Sequence, residues 1–308
     1  MNSAMLYGLR VATDFDLHGA GRPADGAPDV VVRSGQPFSE WAPQPPGDVI
    51  LDFETREPWY TLVRRDDDSY HYRVHSIGDF VISPDVTRVE MRLHSAVTPG
   101  MDAIMTTGTL LSLLLYLRGT SVFHGSAVEV DGHAIGFVGH SGQGKTTMAT
   151  LFCTEGASVI TDDVLVIDSP ESAASVRRGS RELRLRSGTE ELVDQLSDAE
   201  IRTSADDRRI VAPNHTLRES TPLRAILIPV PTRDGSLLRF QRLDSKEAAL
   251  ALMGFPRLLG WRDMAVVQKL FLDATAIVSH TPVLAAFVPW GPPFPDDIIS
   301  ALKESLAR

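Results

Sequence analysis

The chain has 308 residues, a formal net charge of −10, 43% hydrophobic residues and a single cysteine. The acidic balance argues against nucleic acid or an anionic membrane surface as the main partner. One cysteine excludes an internal disulfide and a multi-cysteine metal site. In the opening segment, residues 1–5, no basic region is followed by an apolar region as in a secretory signal, and a cytoplasmic location is therefore predicted.

Residues 1–100 contain short runs of alternating apolar and polar residues, which are typical of strands. These runs are Val49–Phe53, Trp59–Val63, Tyr70–Val74, Asp79–Ile82 and Arg88–Leu93. Three aspartates at 66–68 predict a hairpin turn between two of them. We therefore expect a small, β-rich, antiparallel module over residues 1–100. A buried helix should follow over Met101–Arg118, since its apolar run is too short to span a bilayer.

Residues 126–138 read as a hairpin that ends at a glycine-rich loop. Asp131-Gly132 is a favoured two-residue turn, and apolar alternation flanks it on both sides. Such a turn determines the register, so that Ser126 should face Phe137. Extending this register outward places His124 beside the loop.

The loop matches the phosphate-binding pattern G-x-x-x-x-G-K-[ST] between a buried strand and a helix. Glycines let backbone N–H groups turn toward phosphate oxygens, the lysine reaches the β and γ phosphates, and the hydroxyl binds magnesium. The chain is therefore expected to bind a nucleoside triphosphate. The predicted nucleotide-binding residues are Gly139, Ser141, Gly142, Gln143, Gly144, Lys145, Thr146 and Thr147.

After the helix, Ala157–Ile160 reads as a strand that should lie parallel to, and beside, the strand feeding the loop. Its carboxyl end carries Asp162 and Asp163. Because ligands of open α/β sheets bind at the carboxyl ends of strands, both acids should lie near the phosphates. The alternative is an exposed turn with solvated charges.

Chemistry suggests roles for these residues. Lys145 and the loop amides would stabilise phosphate oxygens, while Thr146 and one of the two aspartates would hold Mg²⁺. The other aspartate would accept the proton of an attacking hydroxyl, and His124 would orient or polarise that carboxylate.

The remaining sequence predicts further strands and helices. The strands are Arg181–Arg186, Leu223–Val230 and Leu237–Leu243, and the helices are Ser245–Met253, Arg262–Leu272 and Asp296–Ala307. Four arginines, Arg178, Arg181, Arg184 and Arg186, would contact phosphate or an acidic peptide, or would form a solvated strand face.

The block made of His124-Gly125, the loop and Ile160–Asp163 resembles the catalytic domain of HPr kinase/phosphorylase and its relatives. The resemblance covers residues 121–168 well and the rest in outline. It implies an α/β fold with a mixed sheet and helices, similar to the nucleotide domain of phosphoenolpyruvate carboxykinase. Together with the β-rich module at 1–100, this predicts two domains, the second being a catalytic domain at 101–308.

By resemblance, Asp162 would be the base paired with His124, Lys145 would act in catalysis, and Thr146 and Asp163 would bind Mg²⁺. The implied activity is transfer of phosphate from ATP to a serine of a peptide or protein. Relatives in natural-product gene clusters modify lasso precursor peptides, and Leu6–Leu9 with the β-rich region look similar to those relatives. The resemblance also implies that the chain forms a homo-oligomer.

One departure from the family is Val176–Gly179, which lacks an acid before its Arg-Gly pair. A second metal site is therefore not expected. The family's signature for the reverse reaction with inorganic phosphate is also not recognisable, so we expect kinase rather than phosphorylase activity. Two other functions stay open: a small-molecule hydroxyl kinase on the same scaffold, and a nucleotide-binding regulator without catalysis.

Overall fold

The computed structural model describes residues 1–17, 25–168, 173–185, 190–196, 200–206, 208–216, 218–233, 237–291 and 293–307. The chain forms two compact units. The N-terminal unit comprises Met1–Thr120 and Leu258–Lys269, and the C-terminal unit comprises Ser121–Arg257 and Leu270–Arg308. These bounds differ from the expected domains 1–100 and 101–308. That division stays a prediction, because compactness alone does not define a folding domain.

The N-terminal unit contains eight strands in one sheet, ordered β1-β2-β3-β8-β7-β6-β5-β4. They are β1 (Asn2–Leu6), β2 (Leu9–Thr13), β3 (Val30–Ser34), β4 (Asp48–Glu54), β5 (Pro58–Arg64), β6 (Tyr70–Val74), β7 (Gly78–Ile82) and β8 (Arg88–Leu93). All five predicted strands are present, and the turn at 66–68 connects β5 to β6. The sheet is mixed rather than antiparallel, because β3 pairs in parallel with both β2 and β8.

A helical segment follows the eight strands. It consists of α1 (Met101–Met105), a π-helical stretch (Thr106–Leu110) and α2 (Leu111–Leu117). Its leucines are buried, as the apolar run predicts, except Leu117, which is half-buried. None of the helices in the described part of the chain combines the length and apolar character that a membrane span requires.

The C-terminal unit contains two further sheets, of nine and three strands. Its strands are β9 (Val122–Phe123), β10 (Gly125–Val130), β11 (His133–Val138), β12 (Ser158–Thr161), β13 (Leu165–Asp168), β14 (Ser175–Arg177), β15 (Leu183–Leu185), β16 (Glu200–Thr203), β17 (Arg209–Ala212), β18 (Ser220–Thr232), β19 (Arg239–Arg242) and β20 (Val283–Pro289). The helices that follow α2 are α3 (Lys145–Thr154), α4 (Glu190–Asp194), α5 (Ser245–Met253), α6 (Met264–His280) and α7 (Ile298–Ala307). Thus the described part of the chain has an α/β fold with two mixed sheets, one three-stranded antiparallel sheet and few helices.

The nine-stranded sheet is buried on both faces, which explains the continuous apolar run of β11. Phe137 packs against Phe152 in a core that also contains Ile298. Its chain neighbour Val138 points the other way and joins a second core with Ile277. Since successive side chains of a strand alternate between faces, both faces of β11 must be apolar.

The order of strands in this sheet differs from the expected one at a single important place. The strand β12 does not pair with β11, since β10 lies between them and is antiparallel to both. Consequently β11 and β12 still run in the same direction. In addition, β18 pairs in parallel with β11 and β20 in parallel with β18. The carboxyl ends of β12, β11, β18 and β20 therefore share one edge of the sheet, which we call the rim.

Two later predictions need correction. The strand expected at 181–186 is the shorter β15, and residue 186 lies outside the described residues. The helix expected at 262–272 is α6, which begins at Met264 and continues to His280. Apolar residues continue through this additional stretch, and Ala274 and Ile277 are buried there.

Candidate functional site

The glycine-rich loop, residues 139–144, connects β11 to α3 at the rim. Gly142 and Gly144 have φ values of 81° and 94°, in the left-handed region that favours glycine. The side chain of Lys145 folds back, and its Nζ donates a hydrogen bond to the His140 carbonyl at 2.9 Å. The loop is thus a compact turn with its lysine held on the inside.

The side chain of Gln143 links the loop to the neighbouring strand. Its Oε1 accepts a hydrogen bond from the His140 amide at 2.8 Å, and its Nε2 donates to the Pro229 carbonyl of β18 at 2.8 Å. The loop shape is therefore stabilised by both its own backbone and the adjacent strand.

Trp290, which follows β20, packs directly on the loop at Gly144. A Cβ atom added to Gly144 would lie 2.2 Å from Cη2 of Trp290. Both the backbone angle and the close indole therefore require glycine at this position.

We expect Gly144→Ala to destabilise the protein through both effects. Gly156→Ala is the matched control, because Gly156 has the same φ of 94° but, apart from its chain neighbours, no atom of the described residues lies within 4 Å of the added methyl group. The control should lose about 1–2 kcal/mol of unfolding free energy from the backbone angle. Overpacking should cost Gly144→Ala a further ~1–3 kcal/mol, measured by urea denaturation. Equal losses would contradict the close packing.

Asp162 follows β12 and points into the protein, where it is 4% exposed. Its Oδ1 accepts hydrogen bonds from Ser126 Oγ at 2.6 Å and Thr146 Oγ1 at 2.9 Å. Its Oδ2 accepts from the Arg184 backbone N–H at 3.0 Å. Burial raises the pKa of Asp162, although these hydrogen bonds oppose the rise. The Asp162 carboxylate is thus hydrogen-bonded to Thr146, the residue that follows the loop lysine.

Asp163 turns the other way, because its φ of 68° lies in the left-handed region. Its Oδ2 accepts a hydrogen bond from an Arg257 guanidinium nitrogen at 2.7 Å, and its side chain is 23% exposed. Burial alone would raise the pKa of Asp163, but the charge of Arg257 and the contact with His124 hold it well below its usual value. Asp163 is therefore a charged carboxylate at neutral pH.

His124 lies next to Asp163, with its Nδ1 3.3 Å from Oδ1 of that aspartate. The contact is within ion-pair distance but lacks the alignment of a hydrogen bond. The backbone N–H of His124 donates to the Phe255 carbonyl at 2.8 Å, which anchors the residue just before β10. Burial lowers the pKa of His124, and the charges of Lys145 and Arg257 add to the lowering although the Asp163 carboxylate opposes it, so the ring is neutral at neutral pH.

The pairing of these residues differs from the one that the family resemblance implies. His124 contacts Asp163 rather than Asp162. Thr146 bonds to Asp162 rather than Asp163. The reason is local: the left-handed backbone at Asp163 sends two successive carboxylates in opposite directions. An exposed turn is also the wrong description, since Asp162 is buried and Asp163 is held by Arg257.

The predicted nucleotide-binding residues all lie on the loop or on the first turn of α3. Ser141 and Gly142 are exposed, while Gly139 and Lys145 are buried. Thr147 is half-buried beside Thr146.

The predicted arginines have different surroundings. Arg184 supplies its backbone N–H to Asp162, while its side chain pairs with Asp206 at 2.6 Å. The guanidinium of Arg181 contacts the His215 ring at 2.9 Å, and Arg178 is buried. These three do not form a solvated strand face, and Arg186 lies outside the described residues.

Arg257 is a site residue that the sequence reasoning missed. It lies 94 positions after Asp163, just beyond α5. No motif or spacing marks it, and only the fold brings it to the site.

Thr146 and Asp162 are the residues best suited to a magnesium ion. They offer a hydroxyl and a carboxylate oxygen 2.9 Å apart. Mg²⁺ is usually bound by one or two carboxylates together with substrate phosphates and water. Across the described ranges, no group of three or more His, Cys, Asp and Glu side chains could hold a metal by itself. The donor set therefore fits Mg²⁺ delivered together with a nucleotide.

Comparisons with known proteins add little to this picture. No family model matches the chain. No curated protein matches it either. Among solved structures, it is similar to the HPr(Ser) kinase/phosphatase from Coxiella burnetii, with 10% identity and a TM-score of 0.29 over 61% of this chain and 93% of that one. Because the TM-score is so low, no residue role is transferred from that protein.

Proposed function

We propose that the protein is an ATP- and Mg²⁺-dependent kinase that phosphorylates a serine hydroxyl of a peptide or protein. The observation that supports this most is the meeting of two opposed carboxylates with a glycine-rich loop at one rim. Asp162 bonds to Thr146 at 2.9 Å, and Asp163 contacts His124 at 3.3 Å. A protein that only binds a nucleotide needs the pair of Asp162 and Thr146, but it has no use for the pair of Asp163 and His124.

Asp162 and Thr146 are assigned to the metal. In P-loop enzymes the loop Ser or Thr and an aspartate hold Mg²⁺, which neutralises charge on the β and γ phosphates. Burial raises the pKa of Asp162, but a bound divalent cation favours its charged form. Its hydrogen bonds from Ser126 and Arg184 orient the carboxylate toward the loop. This role reverses the one that the resemblance implies.

Asp163 is assigned to the acceptor hydroxyl. It is the more exposed of the two acids, and its low pKa keeps it charged and ready to accept a hydrogen bond. Arg257 holds one carboxylate oxygen, and neutral His124 borders the other. Because phosphoryl transfer depends mostly on positioning and charge stabilisation, a weak but well-oriented base is sufficient.

The proposed phosphoryl transfer forms one bond, breaks one bond and moves one proton. The serine oxygen forms a bond to the γ phosphorus as the bond between that phosphorus and the β–γ bridging oxygen breaks. ADP leaves with the electron pair, and the hydroxyl proton passes to Asp163. Lys145, released from the His140 carbonyl, can bind a phosphate oxygen that carries negative charge.

Arg257 should act by positioning Asp163. We expect Arg257→Met to lower kcat about 10²-fold while ATP affinity stays within about twofold, because a misplaced reacting group costs rate rather than binding. Arg262→Met is the matched control, since Arg262 pairs with Asp52 at the same 2.7 Å in the N-terminal unit. Steady-state kinetics and calorimetry measure the two quantities. Equal effects of both variants on kcat would contradict the role of Arg257.

The function itself is tested by incubating the protein with Mg-ATP and a library of serine-containing peptides. Mass spectrometry should find phosphate on serine, and ADP should appear in equal amount. ADP formation only with sugars or amino acids would favour the small-molecule kinase. Nucleotide binding without turnover of any acceptor would favour the non-catalytic regulator.

A further inference from the structure

The order of strands along the rim gives the site a direction. Asp162 and Asp163 follow β12, the loop follows β11, and Trp290 follows β20. One strand, β10, separates β12 from β11, and another, β18, separates β11 from β20. With strands about 4.8 Å apart, the acids and Trp290 lie roughly 10 Å to either side of the loop strand.

Trp290 is held firmly at this end of the rim. Its backbone N–H donates to the Thr232 carbonyl at the end of β18, at 2.9 Å. Its ring edge lies on the backbone of Gly144, and Phe294 packs against it edge to face at 5.9 Å. The indole is only partly buried, so it combines a fixed position with accessible ring surface.

A nucleoside triphosphate is a linear molecule with the base at one end and the γ phosphate at the other. If the γ phosphate faces Asp163 and the loop holds the phosphates, the base must extend toward β20. We propose that Trp290, supported by Phe294, is the stacking platform for the nucleobase. The inference rests on the proposed function and adds to it the site that binds the non-reacting end of the nucleotide.

A second aromatic pair near the loop does not fit this task. The His140 ring packs against Phe255 at 4.9 Å. However, the Phe255 carbonyl accepts the backbone N–H of His124, which places this pair at the acceptor end of the site. The base therefore has aromatic surface available only on the β20 side, among the residues that the structure describes around the loop.

The platform is tested by comparing Mg-ATP with Mg-tripolyphosphate, which has the phosphates but no base. Calorimetry on the full chain should show that wild-type protein binds ATP at least about tenfold more tightly, since base–aromatic stacking contributes that much. Trp290→Ala should weaken ATP binding about tenfold and leave tripolyphosphate binding within about twofold. Trp290→Phe should retain most of the ATP affinity.

The matched control is Trp59→Ala, because Trp59 is 58% exposed in the N-terminal unit. It should change neither affinity. An equal loss of affinity for both ligands in Trp290→Ala would show that the indole only supports the loop. That result would overturn the proposal that Trp290 stacks on the base.

A further readout does not depend on a folded alanine variant. ATP, but not tripolyphosphate, should change the tryptophan fluorescence of the wild-type protein, and this difference should disappear in Trp290→Phe. Equal affinity of wild-type protein for the two ligands would overturn the platform alone. Binding of neither would overturn the kinase proposal as well.

Discussion

Asp163→Asn should lower the rate of phosphoryl transfer about 10²–10⁴-fold while ATP affinity stays within about twofold. Asparagine has the same shape, and its carbonyl oxygen can still accept the hydrogen bond from Arg257. Its amide nitrogen can donate to Nδ1 of neutral His124, which lies 3.3 Å from the aspartate oxygen. The fold should persist, but the proton acceptor is lost. Single-turnover kinetics and calorimetry separate the two quantities.

Asp162→Asn is the comparison that makes this test decisive. The amide could keep the contacts with Ser126, Thr146 and the Arg184 backbone, because hydroxyl groups accept as well as donate. It would weaken the magnesium site, so the dependence of ATP binding on Mg²⁺ should fall while Mg²⁺-free binding is unchanged. If Asp163→Asn instead removed the Mg²⁺ dependence and Asp162→Asn spared it, the roles would be those implied by the family resemblance.

Lys145→Ala should weaken ATP binding about 10- to 100-fold and reduce turnover further. The lysine is buried at the first position of α3, and its Nζ lies against the loop carbonyl of His140. Hydrogen bonds to charged groups contribute about 1.5–3 kcal/mol, and the phosphate oxygens would lose such a partner. Calorimetry with Mg-ATP measures the affinity, and ADP release measures the turnover.

Lys303→Ala is the control for this change in charge. Lys303 lies on α7 in the same unit, is half exposed, and pairs with Asp131 at 2.7 Å. It removes the same charge without touching the loop, so ATP affinity should stay within about twofold. Unchanged affinity in Lys145→Ala would mean that the loop does not cradle phosphates.

Local turn chemistry made the β10–β11 hairpin predictable. Asp131-Gly132 permits only a tight turn, and the observed pairs include Val130 with His133 and Ser126 with Phe137, as the register requires. The register of a hairpin depends on its turn and on the residues next to that turn. It can therefore be derived from a short stretch of sequence. The prediction that His124 lies near the loop residues follows from the same geometry.

Long-range contacts were not predictable in the same way. The insertion of β10 between β11 and β12 depends on which strands find partners across the whole sheet. Arg257 reaches Asp163 across 94 positions, and Trp290 reaches Gly144 from the far end of the chain. Such contacts leave no periodic pattern, since each involves a single side chain.

The sequence by itself determined which chemistry-bearing residues the site contains: the glycine-rich loop, its lysine and threonine, a histidine and an acidic pair. Only the tertiary structure decided which partner each acid has. Asp162 accepts a hydrogen bond from Thr146, whereas Asp163 lies between His124 and Arg257. The physical reason is that residue type is read directly from the sequence, whereas the direction of a carboxylate depends on the backbone angle that the fold holds at that residue and on the partners that the fold brings to it. At Asp163 that angle is a φ of 68°, which separates two neighbouring acids into two environments.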